Sequence, residues 1–114
     1  MLTHLVMFRP RTDLTPAQRQ GLASALTTAL SEIPSIRRAR VGKRVMLGAG
    51  YELLMRTDYP YIAMLEFEDQ AGLQAYLDHP SHKDLGNRFF ETFEEALMYD
   101  YDIDEAKAGI AKLL

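Results

Sequence analysis

The chain has 114 residues, enough for one domain and too few for a multidomain enzyme. Its 47% hydrophobic and 25% charged residues are those of an ordinary globular domain, and a formal charge of −3 lacks the basic surface that a dedicated nucleic-acid binder needs. Cysteine is absent, which removes disulfides, thiol nucleophiles, zinc–thiolate sites and iron–sulfur clusters, and fits a reducing, cytoplasmic setting.

Residues 2–9 alternate weakly, with Leu2, His4, Val6 and Phe8 on one face and Thr3, Leu5 and Met7 on the other, and Pro10 stops the run. The pattern predicts a strand buried on both faces. Thr15-Pro16-Ala17-Gln18 has the form of a capping box with proline at the first helical position. Leu22, Leu26, Leu30 and Ile33 then form one apolar helical stripe, closed by Pro34. Ile36 to Val45 alternates as a second strand, Ala39, Val41 and Val45 sharing one face and Arg38, Arg40 and Arg44 the other. Residues 46–60 have no clear period but hold Tyr51, Leu53, Leu54 and Met55, which predicts a functional or moving loop.

Tyr61 to Glu68 is the third predicted strand. Asp69 is placed to cap a short helix carrying Leu73, Tyr76 and Leu77, broken at His79-Pro80, and Ser81 to cap the next, whose apolar positions are Leu85, Phe89 and Phe93. Ala96 to Ile103 returns to period two as a fourth strand, and Ile110, Leu113 and Leu114 suggest a short closing helix. The order is that of a split βαβ unit, an α+β ferredoxin-like fold with a four-stranded antiparallel sheet and helices on one face. The other face also carries apolar side chains, so two sheets are expected to pair in a homodimer. No segment approaches the length of a membrane span.

These residues resemble the stress-responsive A/B barrel domain family, whose members are dimeric α+β barrels. The resemblance rests on His4-Leu5-Val6-Met7-Phe8, on Ile33-Pro34 followed by Val41-Gly42, on Leu65-Glu66-Phe67-Glu68-Asp69, on Tyr76-Leu77-Asp78-His79-Pro80-Ser81-His82 and on Tyr99-Asp100-Tyr101. It implies a domain over residues 1–103 and an extension over 104–114. Its plant polyketide cyclase branch implies aldol-type chemistry without a cofactor, with the motif tyrosine at Tyr76, the catalytic histidine at His82 and a first-strand histidine at His4. Where those cyclases carry a third-strand histidine and a first-helix tyrosine, this chain has Tyr61 and Leu26, so the resemblance does not carry over the substrate.

His82 falls in the first turn of a helix, where a neutral imidazole is favoured and can take and return a proton. Tyr76, across the Pro80 corner, can offer its hydroxyl to a developing oxyanion. His4, Tyr61, Leu26, Tyr51 and His79 are expected to line the same ligand pocket, with Tyr51 to Met55 as its roof. Against this stands a plainer reading, in which the histidines form a structural corner and the tyrosines belong to the core. No metal site is expected, since Pro80 separates His79 from His82 and no carboxylate completes a set. The basic run Arg37 to Arg44 is expected to face solvent or to pair with Glu91, Glu94 and Glu95. Three functions follow: a cofactor-free cyclase, lyase or isomerase acting on a small, oxygenated, partly apolar molecule; a non-catalytic ligand-binding or stress-associated dimer; and a cofactor-independent monooxygenase.

Overall fold

The computed structural model describes residues 1–114. Strand β1 runs over Leu2–Pro10, helix α1 over Pro16–Glu32, β2 over Arg38–Lys43 and β3 over Tyr61–Phe67. Helix α2 follows at Gln70–Asp78, α3 at Pro80–Thr92, β4 at Phe93–Asp102 and α4 at Ala106–Ala111. The strands form one antiparallel sheet in the order β2-β3-β1-β4, the ferredoxin-like arrangement.

Register assigns the two faces. His4 sits between Leu65 and Asp100, Val6 between Ala63 and Met98, and Phe8 between Tyr61 and Ala96, all on the side that carries the helices. Leu5 sits between Met64 and Tyr99, and Met7 between Ile62 and Leu97, on the open side. Within one chain β1 buries His4, Val6 and Phe8 on its helix face, while on the open face Thr3 is buried but Leu5 and Met7 are only half-buried, because no helix of the same chain covers that side.

The Thr15–Gln18 capping box forms as its sequence requires: Thr15 Oγ1 accepts from Gln18 N at 3.1 Å, and Gln18 Oε1 accepts from Thr15 N at 2.9 Å. Along α1 the buried line is Leu22, Ala25, Ala29 and Ile33, rather than the predicted leucine stripe. Helix α1 packs closely against α3, and Leu26 and Leu30 border the space left between the helices and the sheet. With Phe67, Leu65, Val6, Phe8, Tyr76 and Leu85 this line makes the core.

Several boundaries differ from the sequence reading. Strand β2 ends at Lys43, so Val45 leaves the sheet and is exposed. Phe93 opens β4 instead of closing α3, and stacks on Phe8 at 4.6 Å while staying 4.0 Å from Phe89. The basic run pairs with Glu68, Glu66 and Asp58 through Arg37, Arg40 and Arg44, not with the acidic run of α3 and β4. Glu94 and Glu95 pair with Arg9 instead, because that is the residue β1 sets beside them. Helix α4 leaves Ile110 and Leu113 exposed and is tied down by Lys112 at 2.5 Å from Asp104. No helix is long and apolar enough to cross a membrane.

Candidate active site

Between the helix face of the sheet and helices α1 and α3 lies a cavity of about 450 Å³, within the usual range for small-molecule sites. Its existence follows from residue size. Ala63 and Ala96 on the sheet and Gly86 on α3 are small where a filled core needs bulk, and a Cβ built on Gly86 would meet nothing within 4 Å. Leu26 and Leu30 from α1 with Leu85 and Phe89 from α3 form the apolar walls. Near Phe90, Glu94 and Glu95, at the β4 edge, the lining residues become exposed and the cavity opens.

The polar end is built from β1 and the α2–α3 corner. Helix α2 ends at Asp78 and α3 begins at Pro80, so Tyr76 and His82 lie on either side of one sharp bend. Their rings meet edge to face with centroids 4.6 Å apart, and His4 stands 5.7 Å from Tyr76 on the strand below. His82 Nδ1 lies 3.1 Å from the Leu77 carbonyl oxygen. A carbonyl only accepts, so Nδ1 carries the proton and the neutral ring keeps Nε2 as a free acceptor. Burial pulls the His82 pKa down; the Leu77 contact raises it and nearby His4 lowers it further. Burial also pushes the Tyr76 phenol up to about 12. Ser35 Oγ is the only fully buried side-chain polar atom left without a partner, so the Tyr76 hydroxyl, which bonds to no other side chain, keeps some accessible surface, and Tyr76 lines the cavity.

His4 is almost wholly buried, and its Nδ1 lies 2.6 Å from Asp100 Oδ1 on the neighbouring strand. The carboxylate accepts the Nδ1 proton and fixes the ring, directing Nε2 away from β4. Asp100 has no assigned role in the sequence reading; the available signal was its alternation with Met98 and Asp102 on the helix face of β4.

Of the residues singled out in the sequence, His82, Tyr76, His4 and Leu26 line one cavity. Three others do not. His79 is the N-cap of α3, its Nδ1 accepting from Ser81 N at 3.1 Å, so its ring is spent on the helix end and the predicted Ser81 cap is displaced. Tyr61 stacks on Phe8 at 5.5 Å and lies outside the cavity, toward the sheet edge. Tyr51 is exposed in a 3-10 turn, Gly50–Leu54, and the loop containing it does not roof the site. That loop curls on itself, because the Glu52 carboxylate gathers the backbone N–H groups of Leu47, Gly48 and Ala49.

Residues 2–103 match the stress responsive A/B barrel domain. The chain belongs to that family. Olivetolic acid cyclase from Cannabis sativa is 26% identical to this A/B barrel protein over 98 residues, which span 86% of this chain and 92% of the cyclase. Among solved structures, hydroxynitrile lyase from Passiflora edulis is similar with a TM-score of 0.74 at 18% identity, covering 92% of this chain and 94% of that one. A dimeric ferredoxin-like protein from Thermobifida fusca is similar with a TM-score of 0.69 at 22% identity, covering 90% of each chain. At these identities the two structures establish the fold of the A/B barrel chain.

Proposed function

We propose that this A/B barrel protein is a homodimeric proton-transfer enzyme of the cyclase or lyase kind, acting on a small, partly apolar carbonyl compound with its own side chains and no cofactor. The observation that carries the reading is the placement of a neutral imidazole and a neutral phenol, 4.6 Å apart, at the polar end of an apolar cavity. His82 Nε2 takes a proton from the carbon beside the substrate carbonyl. Tyr76 donates its hydroxyl hydrogen to the carbonyl oxygen as negative charge gathers there. The enolate carbon then attacks a second carbonyl carbon to form the new C–C bond, and the imidazolium returns its proton to the resulting alkoxide. Run in the opposite sense, the same two groups cleave such a bond. His4, held by Asp100, borders the reacting end, and the leucine and phenylalanine walls take the apolar part of the substrate.

The dimer rests on the open sheet face, where Leu5, Met7, Ile62 and Met64 form an uncovered apolar strip with half-exposed Tyr99 beside it. A related fold from Thermobifida fusca is dimeric. Ligand screening by thermal shift with β-polyketones and aryl ketones, followed by turnover of each hit, tests the function. A ligand of the folded state must raise the melting temperature. His82→Ala is expected to retain binding and lose about a hundredfold or more in rate. Turnover at the wild-type rate in that variant refutes the assignment and leaves a ligand-binding dimer.

A further inference from the structure

We infer that the loop joining β2 to β3 is an arm that packs on a second copy of this chain, extending the dimer contact beyond the paired sheets. The inference rests on the dimer reading above and adds to it a specific element. Between Val45 and Met55 nearly every large side chain is apolar and faces solvent: Val45 is 73% exposed, Leu47 77%, Leu53 91% and Leu54 75%. The 3-10 turn contributes no buried residue to its own barrel. Apolar exposure on this scale in one short segment is a contact surface awaiting its partner.

The arm is also shaped in advance. Glu52 Oε1 accepts from Gly48 N at 2.8 Å and from Ala49 N at 3.1 Å, and Oε2 accepts from Leu47 N at 3.0 Å. Gly48, at φ 76°, is the only residue in the chain with positive φ, and it permits the tight curl around that carboxylate. A loop that spends a carboxylate on ordering its own backbone has lost much of its freedom before binding, which lowers the entropic cost of docking.

Continuity with the open face identifies the occupant. Arg9, on the open side of β1, donates from its guanidinium to the Asp58 carbonyl oxygen at 3.2 Å, and Arg44 holds the Asp58 carboxylate at 2.6 Å. The returning limb of the loop is thereby anchored on the open side. Met55 and Tyr59 there border one shallow depression with Met7, Ile62 and Leu97 of the sheet. The end of the arm and the sheet face thus border one depression, which Arg44 and Arg56 also line, and an isologous dimer presents it twice. A lipid surface fits less well: Lys43, Arg44 and Arg56 are offset by Glu52 and Asp58, far from the basic cluster that anionic membranes select.

The test is the dimer dissociation constant, measured by sedimentation over a dilution series, for the wild type and for Leu53→Glu/Leu54→Glu. The expected result is a rise of at least about tenfold, since each substitution counts twice in a two-fold dimer. An unchanged constant in a protein that still dimerises overturns the arm contact and leaves the sheet pairing intact, whether or not phosphatidylcholine–phosphatidylserine vesicles then bind the arm. A wild type that stays monomeric throughout overturns both readings. Should the double variant misfold, the absence of native cysteine lets Leu53→Cys carry a single polarity-sensitive dye. Its emission is expected to shift to the red as dimers dissociate on dilution, and constant emission through dissociation overturns the arm contact.

Discussion

Replacing Tyr76 with phenylalanine deletes one oxygen atom and leaves the ring, which separates the chemical use of this residue from its packing. The ring touches His82, Phe67 and His4 at centroid distances of 4.6, 5.3 and 5.7 Å, and these contacts survive the change. The lost hydroxyl has no side-chain partner, so Tyr76→Phe is expected to alter stability by less than about 1 kcal/mol, equivalent to roughly 3–6 °C in melting temperature. Alkaline solution sharpens the contrast. A phenol pushed up to about 12 from an ordinary 10 disfavours its ionised form by roughly 3 kcal/mol. Between those pH values the unfolded chain releases this proton and the folded chain keeps it, so wild-type stability falls as pH rises through the interval. The full contribution is present below pH 10, and its loss on the order of 3 kcal/mol is absent from Tyr76→Phe. Urea titrations of both proteins at stepped pH measure this difference, and turnover at neutral pH measures the chemistry, where removal of an oxyanion donor costs about a hundredfold to a thousandfold. Parallel alkaline stability curves would refute the burial of the phenol, and undiminished turnover would refute its place at the developing oxyanion.

Further outcomes follow from the two histidines. Because burial lowers the His82 pKa, the unfolded chain binds this proton at a higher pH than the folded one. Its contribution is present above the ordinary histidine value near 6.5 and is lost as pH falls through the lowered folded value. Urea melts of His82→Gln are therefore expected to lose less stability than wild type on acidification, and the acid limb of the wild-type kcat profile to lie below 6.5. Asp100→Ala frees the His4 ring, and a rate loss of about tenfold is expected with little change in ligand affinity, alongside a mixed tautomer population at His4 in nitrogen-15 spectra. A single Nδ1-protonated tautomer retained without the carboxylate would show that Asp100 does not orient the ring.

Periodicity and caps made the order of elements readable. Thr15 and Gln18 are three residues apart, and nothing distant decides whether their box forms. Boundaries were harder where one residue satisfies two periods: Phe93 continues the helical spacing of Leu85 and Phe89 and equally begins a strand, and its stack on Phe8 selects the strand. The Tyr76–His82 pair was legible because Pro80 forces a bend between nearby residues. His4–Asp100 was not, since its partners are 96 residues apart and meet only through the β1–β4 register. The capping role of His79 is not legible because histidine rarely caps a helix, nor is the position of Tyr51, because a loop's composition does not reveal which side of the sheet it lies on.

The α2–α3 bend has a consequence for how this barrel can change. Tyr76 and His82 belong to a contiguous stretch whose angle is set by Pro80 and by the ring of His79 capping the next helix, so the pair proposed to react travels as one cassette. The walls are drawn from α1 and β4, remote in the chain, and from the turns of α3 that follow His82. Much of the cavity's shape is thereby set by stretches of chain that lie apart from the bend. Under the proposed function, descendants of such a chain can acquire new ligands by resizing side chains at Leu26, Gly86 or Ala96 while the bend, inherited whole, keeps Tyr76 and His82 together.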